Sequence, residues 1–207
     1  MKKLLIFDYD GTLVDSLDVM TIVINKLIKS SRPNNPLSKE EVANIFNVNF
    51  YEGMKNLGID EKVIKNYSNE AKYFIKYKHE IKPFEGILEV IKKLSQENTI
   101  VIISSNTTKV IEVFLKDTEL EHYVKEIIGI EKETSKVKKI EYCKIKYGIE
   151  NEFIFYVGDT TGDVIEGKKA QVKTVAVTWG FHDKEKLEKE QPDFMVEKPN
   201  DLLKLFL

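Results

Sequence analysis

Leu4-Leu5-Ile6-Phe7-Asp8-Tyr9-Asp10-Gly11-Thr12 carries the clearest structural signal in the chain. Four apolar residues in a row read as a strand buried on both faces, the pattern of a parallel sheet covered by helices. The run stops abruptly in two carboxylates and a glycine. Far downstream, Phe153-Ile154-Phe155-Tyr156-Val157-Gly158-Asp159-Thr160-Thr161-Gly162-Asp163 repeats the arrangement. Ligands of open parallel sheets bind beyond the carboxyl ends of the strands, so Asp8, Asp10, Asp159 and Asp163 are expected to meet there. Four such groups cannot all stay ionised without a cation, and a hard ion such as Mg2+ is the natural partner.

Further strands are expected at Ile100–Ile103, Ile127–Ile130 and Thr174–Val177. Amphipathic helical patterns lie between them: Ile87, Leu88, Ile91 and Leu94; Val110, Ile111 and Phe114; Val137, Ile140 and Tyr147, closed by Gly148. Alternating strands and helices predict an α/β fold, a doubly wound, Rossmann-like parallel sheet. The stretch from Ser16 to Lys82 breaks the rhythm, with no convincing strand over roughly 65 residues, too long for one crossover. Its apolar residues have helical spacing: Val19, Ile22, Val23 and Leu27; Val42, Ile45 and Phe46; Val63, Ile64, Tyr67, Ala71 and Phe74. Ser38 and Glu41 form a capping-box pattern, and Gly58 with Asp60 marks a stop and a start. The chain therefore divides into a core of residues 1–15 and 83–207 and a small helical cap of residues 16–82, hinged at Asp15-Ser16 and Lys82-Pro83.

The 207 residues have room for a good-sized domain with such an insert. A net charge of −2, with lysines interleaved among glutamates, gives no reason to expect nucleic acid or membrane binding. Two lysines and four apolar residues before Asp8 are too few for a signal peptide or a membrane span. The single cysteine, Cys143, allows no internal disulfide and reads as a small core residue on a helix. A cytoplasmic monomer or homodimer acting on a small molecule is expected.

A carboxylate at a strand end, here Asp8, can attack phosphorus and become an aspartyl-phosphate. Asp10, two residues on, would share its face of an extended segment and can act first as acid and then as base. Gly11 allows a turn with close approach to a ligand, and Thr12 buttresses it. Asp159 and Asp163 complete a metal site. Ser104-Ser105-Asn106-Thr107-Thr108 follows a strand, where hydroxyls and backbone N–H groups make an anion site. Ser135-Lys136 opens a helix, and a lysine there can neutralise phosphate and nucleophile.

Taken together, these motifs resemble the haloacid dehalogenase-like superfamily in its phosphatase branch. Asp8 to Ser16 resembles the first motif, including the flank of phosphoglycolate phosphatase-like members. Ser105-Asn106 resembles the second motif, Lys136 the third, and Gly158-Asp159 through Asp163 the fourth. Val177-Thr178-Trp179-Gly180-Phe181 resembles the usual tail. The resemblance implies Asp8 as nucleophile and Mg2+ ligand, and Asp10 as acid/base with its backbone carbonyl on the metal. It implies Ser105, Asn106 and Lys136 around the substrate phosphate. It makes Asp159 a direct metal ligand and Asp163 a direct or water-mediated one. The reaction implied is Mg2+-dependent hydrolysis of a small, phosphoglycolate-like phosphomonoester. A phosphosugar mutase would use the same phosphoenzyme but return the phosphoryl group to sugar. A dehalogenase is disfavoured, because Asp10 supplies an acid that carbon–halogen displacement does not need. A phospho-accepting signalling module carries its acceptor on a middle strand and lacks a helical insert. His79, His122 and His182 lie outside the motifs and receive no ligand role.

Overall fold

Leu4 to Phe7 are all fully buried, and their side chains alternate between two cores. Leu5 and Phe7 join the larger apolar cluster, while Leu4 and Ile6 join a second one with Ile140, Cys143 and Tyr156. This double covering is why the run is continuous rather than alternating. A computed structural model, describing residues 2–70 and 72–207, places this segment, β1 (Leu4–Phe7), near the middle of a six-stranded parallel sheet. The other strands are β4 (Thr99–Ile103), β5 (Glu126–Ile128), β6 (Ile154–Gly158), β7 (Lys173–Val177) and β8 (Phe194–Val196), in the order β5-β4-β1-β6-β7-β8. Helices α7 (Ile87–Leu94), α8 (Thr108–Asp117), α9 (Lys136–Tyr147), α10 (Thr161–Lys169), α11 (Lys184–Lys189) and α12 (Asp201–Phe206) accompany the strands. The doubly wound α/β architecture read from the pattern is the one observed.

Two strand expectations need correction, and one strand was not expected. The fifth strand covers Glu126–Ile128 rather than Ile127–Ile130, because Gly129 and Ile130 turn away toward the β4 loop, where the Ile130 N–H bonds the Asn106 carbonyl. Phe153 belongs to a short 3-10 turn, and β6 starts at Ile154. The edge strand β8 is absent from the sequence expectations: it is three residues long and only Val196 in it is buried, so it carries little hydrophobic signal.

Between β2 (Val14–Asp15) and β3 (Lys82–Pro83) lie α1 (Leu17–Ile28), α2 (Lys39–Ile45), α3 (Phe50–Asn56), α4 (Glu61–Lys65), α5 (Tyr67–Glu70) and α6 (Lys72–Lys76). Ala71, part of the helical pattern there, lies outside the described residues. Ser38 and Glu41 form the capping box at α2, and Asp60 caps α4 by accepting from the Lys62 N–H. Val23, Ile24, Phe50, Met54, Tyr67 and Phe74 fill the interior of this helical unit. Its entry and exit strands pair antiparallel, Val14 with Pro83 and Asp15 with Lys82. That ribbon is not legible in the sequence, since two-residue strands leave no periodicity. Among the described residues no helix is long and apolar enough to cross a membrane.

Candidate active site

The register of the sheet fixes what meets what. Phe7 pairs with Ile102 on β4 and with Val157 on β6. The residues that follow these strands therefore emerge side by side at their carboxyl ends, where the chain leaves β1 to either side. Asp8 follows β1, Ser104 follows β4 and Asp159 follows β6. Asp163 sits in the first turn of α10, where Thr160 and Asp163 form a reciprocal capping box. Lys136 is the first residue of α9.

One oxygen atom from each of Asp8, Asp159 and Asp163 lies within 4.8 Å of the others. Lys136 Nζ bridges two of them, 2.7 Å from Asp8 Oδ2 and 2.6 Å from Asp163 Oδ1. Asp159 is held by the Thr12 hydroxyl at 2.8 Å and by the Phe181 N–H at 2.7 Å. Gly11 is obligatory beside it: its φ is +76°, and a Cβ there would stand 2.1 Å from Asp159 Oδ2. Asp10 accepts from the Ser16 hydroxyl at 2.7 Å and from the Asn106 amide at 3.3 Å. Asp8, Asp10, Lys136, Asp159 and Asp163 are all buried.

Burial dominates the electrostatics. It pushes Asp8 from 3.8 up to about 7 although Lys136 pulls the other way. It raises Asp159 well above its ordinary value, aided by repulsion from Asp163 and Asp8. Asp10 is also raised by burial, against the hydrogen bonds from Ser16 and Asn106. Asp163 is the exception, since Lys136, Thr160 and Tyr156 outweigh burial and hold it below the usual carboxylate range. Lys136 stays firmly charged, because Asp163 and Asp8 outweigh its own desolvation.

This donor set suits a hard cation. Asp8 Oδ1 is buried and has no hydrogen-bond partner among the described residues. Asp159 has one donor on each oxygen. Each oxygen of Asp163 already accepts two hydrogen bonds, Oδ1 from Lys136 and from Tyr156 at 2.5 Å, and Oδ2 from the Thr160 N–H and hydroxyl. Asp8 and Asp159 therefore offer open lone pairs, and Asp163 chiefly grips Lys136.

Of the residues singled out in the sequence, Asp8, Asp10, Asn106, Lys136, Asp159 and Asp163 share this network. Ser105 does not: it is half-buried, and among the described residues its side chain has no hydrogen-bond partner. Its neighbour Ser104 is buried, accepts from the Asn106 N–H at 2.9 Å, and helps lower the Asp10 pKa. Sequence reasoning also missed Ser16, Tyr156 and a second layer behind Lys136. In that layer Lys139 Nζ donates to the Ser104 carbonyl at 2.5 Å. Burial and the charge of Lys136 bring Lys139 down to about 7, and burial raises Glu166 to about 7. A signal was available. Lys136, Lys139, Ile140 and Cys143 are the buried stripe of α9, and lysines on an apolar stripe demand buried partners.

A doubly wound α/β fold with nucleophile-type carboxylates clustered beyond its central strands defines a hydrolytic enzyme of the phosphoryl-handling kind. A profile described as "Haloacid dehalogenase-like hydrolase" matches residues 5–177, and the chain belongs to that family. Phosphoglycolate phosphatase from Aquifex aeolicus is 29% identical over 215 residues, spanning 98% of this chain and 96% of that protein. Pyrophosphatase PpaX from Listeria welshimeri is 26% identical over 209 residues, spanning 96% and 94%. A solved structure from Clostridium acetobutylicum, described as a predicted phosphatase, shares the fold with a TM-score of 0.84 at 24% identity, covering 99% of this chain and 98% of that one.

Proposed function

We propose that this hydrolase, a phosphatase of the haloacid dehalogenase-like family, cleaves a small phosphomonoester through an aspartyl-phosphate on Asp8, with Mg2+ held by Asp8, Asp159 and the Asp10 backbone carbonyl and with Asp163 beside it. The observation that carries the reading is Asp8 itself. One oxygen is anchored by Lys136, and the other is buried with no partner among the described residues. Such an oxygen is poised either to ligate or to attack. When bound, Mg2+ supplies the positive charge that lets these carboxylates ionise together and receive a dianion.

The residues divide the chemistry. An Asp8 oxygen forms the new bond to phosphorus as the ester P–O bond breaks. Asp10, raised by burial, carries a proton to the leaving oxygen; ionised afterwards, it takes a proton from the water that hydrolyses the acyl phosphate. Lys136 lies against Asp8 and Asp163 and neutralises phosphoryl oxygens alongside the donors of the β4 loop, Ser105 and Asn106. Residues 16–82 act as a cap on the core of 1–15 and 83–207. With the carboxylates buried, the cap must swing on the Val14–Pro83 ribbon to admit substrate.

Phosphoglycolate is the first candidate substrate, and the pyrophosphatase relatives add pyrophosphate to the panel. The test is a phosphate-release screen over phosphorylated small molecules, with Mg2+ and with chelator, on wild type and Asp8→Asn. Release that needs Mg2+ and vanishes in Asp8→Asn is expected. Release undiminished in Asp8→Asn overturns the nucleophile. A phosphosugar converted to its isomer without free phosphate identifies a mutase instead.

A further inference from the structure

His182 follows the Gly180-Phe181 turn beyond β7 and is 2% exposed. Its ring joins two parts of the chain that are far apart in sequence. Nδ1 lies 3.0 Å from the backbone N–H of Thr161, the first residue of α10. Nε2 lies 2.9 Å from the carbonyl of Ala43 in α2. A backbone N–H can only donate and a carbonyl can only accept. The partners therefore dictate the tautomer: Nδ1 is the acceptor, Nε2–H is the donor, and the ring is neutral.

The contact lies at a tight seam. The Gly162 N–H donates to the Phe46 carbonyl at 3.1 Å, and the Thr161 hydroxyl donates to the Asn47 carbonyl at 3.1 Å. A Cβ on Gly162 would stand 2.7 Å from both the Phe46 and Val48 carbonyls, so only glycine lets the backbones approach this closely. The rings of Phe46 and Phe181 meet edge to face at 5.7 Å. Lys186 of α11 reaches across to Asn44 at 2.7 Å. Among these groups His182 is the one that ordinarily changes charge between pH 5 and 8.

We propose that His182 is a positioning residue that latches the helical insert onto the first turn of α10, and that the latch holds only while its imidazole is neutral. A second proton would aim Nδ1–H at the Thr161 N–H, replacing an acceptor by a donor in a buried contact. The surroundings favour the neutral ring. Burial lowers the His182 pKa below 6.5. Lys186 on α11 adds to that, while the Ala43 carbonyl on α2, Asp163 on α10 and Asp183 before α11 oppose it without prevailing. Thr161 stands two residues before Asp163, which grips Lys136, so the latch ties cap closure to the helix that holds the candidate phosphate-binding lysine. The linkage has a definite sign. The closed form binds fewer protons, so the closed-to-open ratio is highest above about pH 6.5 and falls by up to about tenfold per pH unit below it. The latch does not depend on which phosphoester the enzyme takes, or on its being a phosphatase.

The test is a distance measurement. Spin labels go on exposed Lys62→Cys in α4 and Lys204→Cys in α12. Native Cys143 is buried, with its thiol pushed up to about 12, and stays unlabelled. Dipolar distance distributions are recorded at pH 8 and pH 5 for wild type, His182→Ala and His182→Gln. In His182→Gln the amide can accept from Thr161 and donate to Ala43 without titrating. Wild type should be narrow at pH 8 and gain a longer component at pH 5. His182→Ala should carry the longer component at both pH values, and His182→Gln at neither. Should His182→Ala fail to fold by circular dichroism, the comparison of His182→Gln with wild type decides. A His182→Ala protein as narrow as wild type at pH 8, or a His182→Gln protein that responds to pH as wild type does, overturns the latch.

Discussion

Lys136→Met removes the cation bonded to both Asp8 and Asp163 while keeping an unbranched apolar chain as far as Cε. In the wild-type protein Asp8 already stands at about 7, raised by burial against the pull of Lys136. A carboxyl raised in the fold keeps a proton that the unfolded chain has released. Stability is therefore lost as pH climbs from the unfolded value to the folded one. From 3.8 to about 7 the loss comes to about 4 kcal/mol, at about 1.4 kcal/mol per pH unit, and it is essentially complete above about pH 8. Without Lys136 the folded value of Asp8 moves higher still. The variant should go on losing up to about 1.4 kcal/mol per pH unit between pH 8 and 9, where the Asp8 contribution in wild type has levelled off. Removing one partner of a buried ion pair costs about 3–5 kcal/mol in full. That cost should be near its maximum at pH 9 and smallest near pH 6, where Asp8 stays protonated in both proteins. Urea unfolding of chelator-treated protein at pH 6, 7, 8 and 9 reads this directly, with unchanged m-values showing that the unfolded state is the same. Saturating Mg2+ should recover part of the loss by binding only the folded chain. Parallel stability–pH curves for variant and wild type would refute the assignment of Lys136 as the counter-charge of Asp8.

Mg2+ binding near pH 7 should release protons, because burial raises Asp8 to about 7 and raises Asp159 as well, and both must ionise to ligate; calorimetry in buffers of different ionisation enthalpy detects the release, and a buffer-independent heat would contradict it. Asp10→Asn should slow both half-reactions by about 10²–10⁴-fold while leaving Mg2+ affinity largely intact, as read by single-turnover kinetics and metal titration. Tyr156→Phe deletes a hydrogen bond to charged Asp163, worth about 1.5–3 kcal/mol, so kcat/KM should fall about 10- to 100-fold; a change below about twofold would show that Asp163 does not need it. Gly11→Ala forces a Cβ against Asp159 at a positive φ, and should abolish measurable Mg2+ binding even where the protein remains folded by circular dichroism.

Much of this enzyme is written in its local sequence. A strand buried on both faces must be apolar throughout, so Leu4–Phe7 and the Ile154–Val157 run announce themselves, and the carboxylates at their ends follow directly from the order of residues along the chain. The capping box of Ser38 and Glu41 is equally local, a matter of neighbouring atoms within one turn. The β8 edge and the Val14–Pro83 ribbon are not legible, because two or three residues covered on one side need no distinctive pattern.

The support of the candidate site is likewise a product of tertiary packing. The Thr12 hydroxyl meets Asp159 across 147 residues, and Lys136 meets Asp8 across 128. No short-range rule couples such positions; the sheet register does, by bringing three strand ends together. Ser104 rather than Ser105 turns toward Asp10 for the same reason. His182 is the clearest case. As a lone histidine it has no local pattern to give it meaning, and only the fold sets Thr161 on one side of its ring and Ala43 on the other. The sequence alone determined which chemical groups are present and that they stand at strand ends. The tertiary structure decided which of them share protons and charges, because those energies depend on distance and burial that chain neighbours do not control.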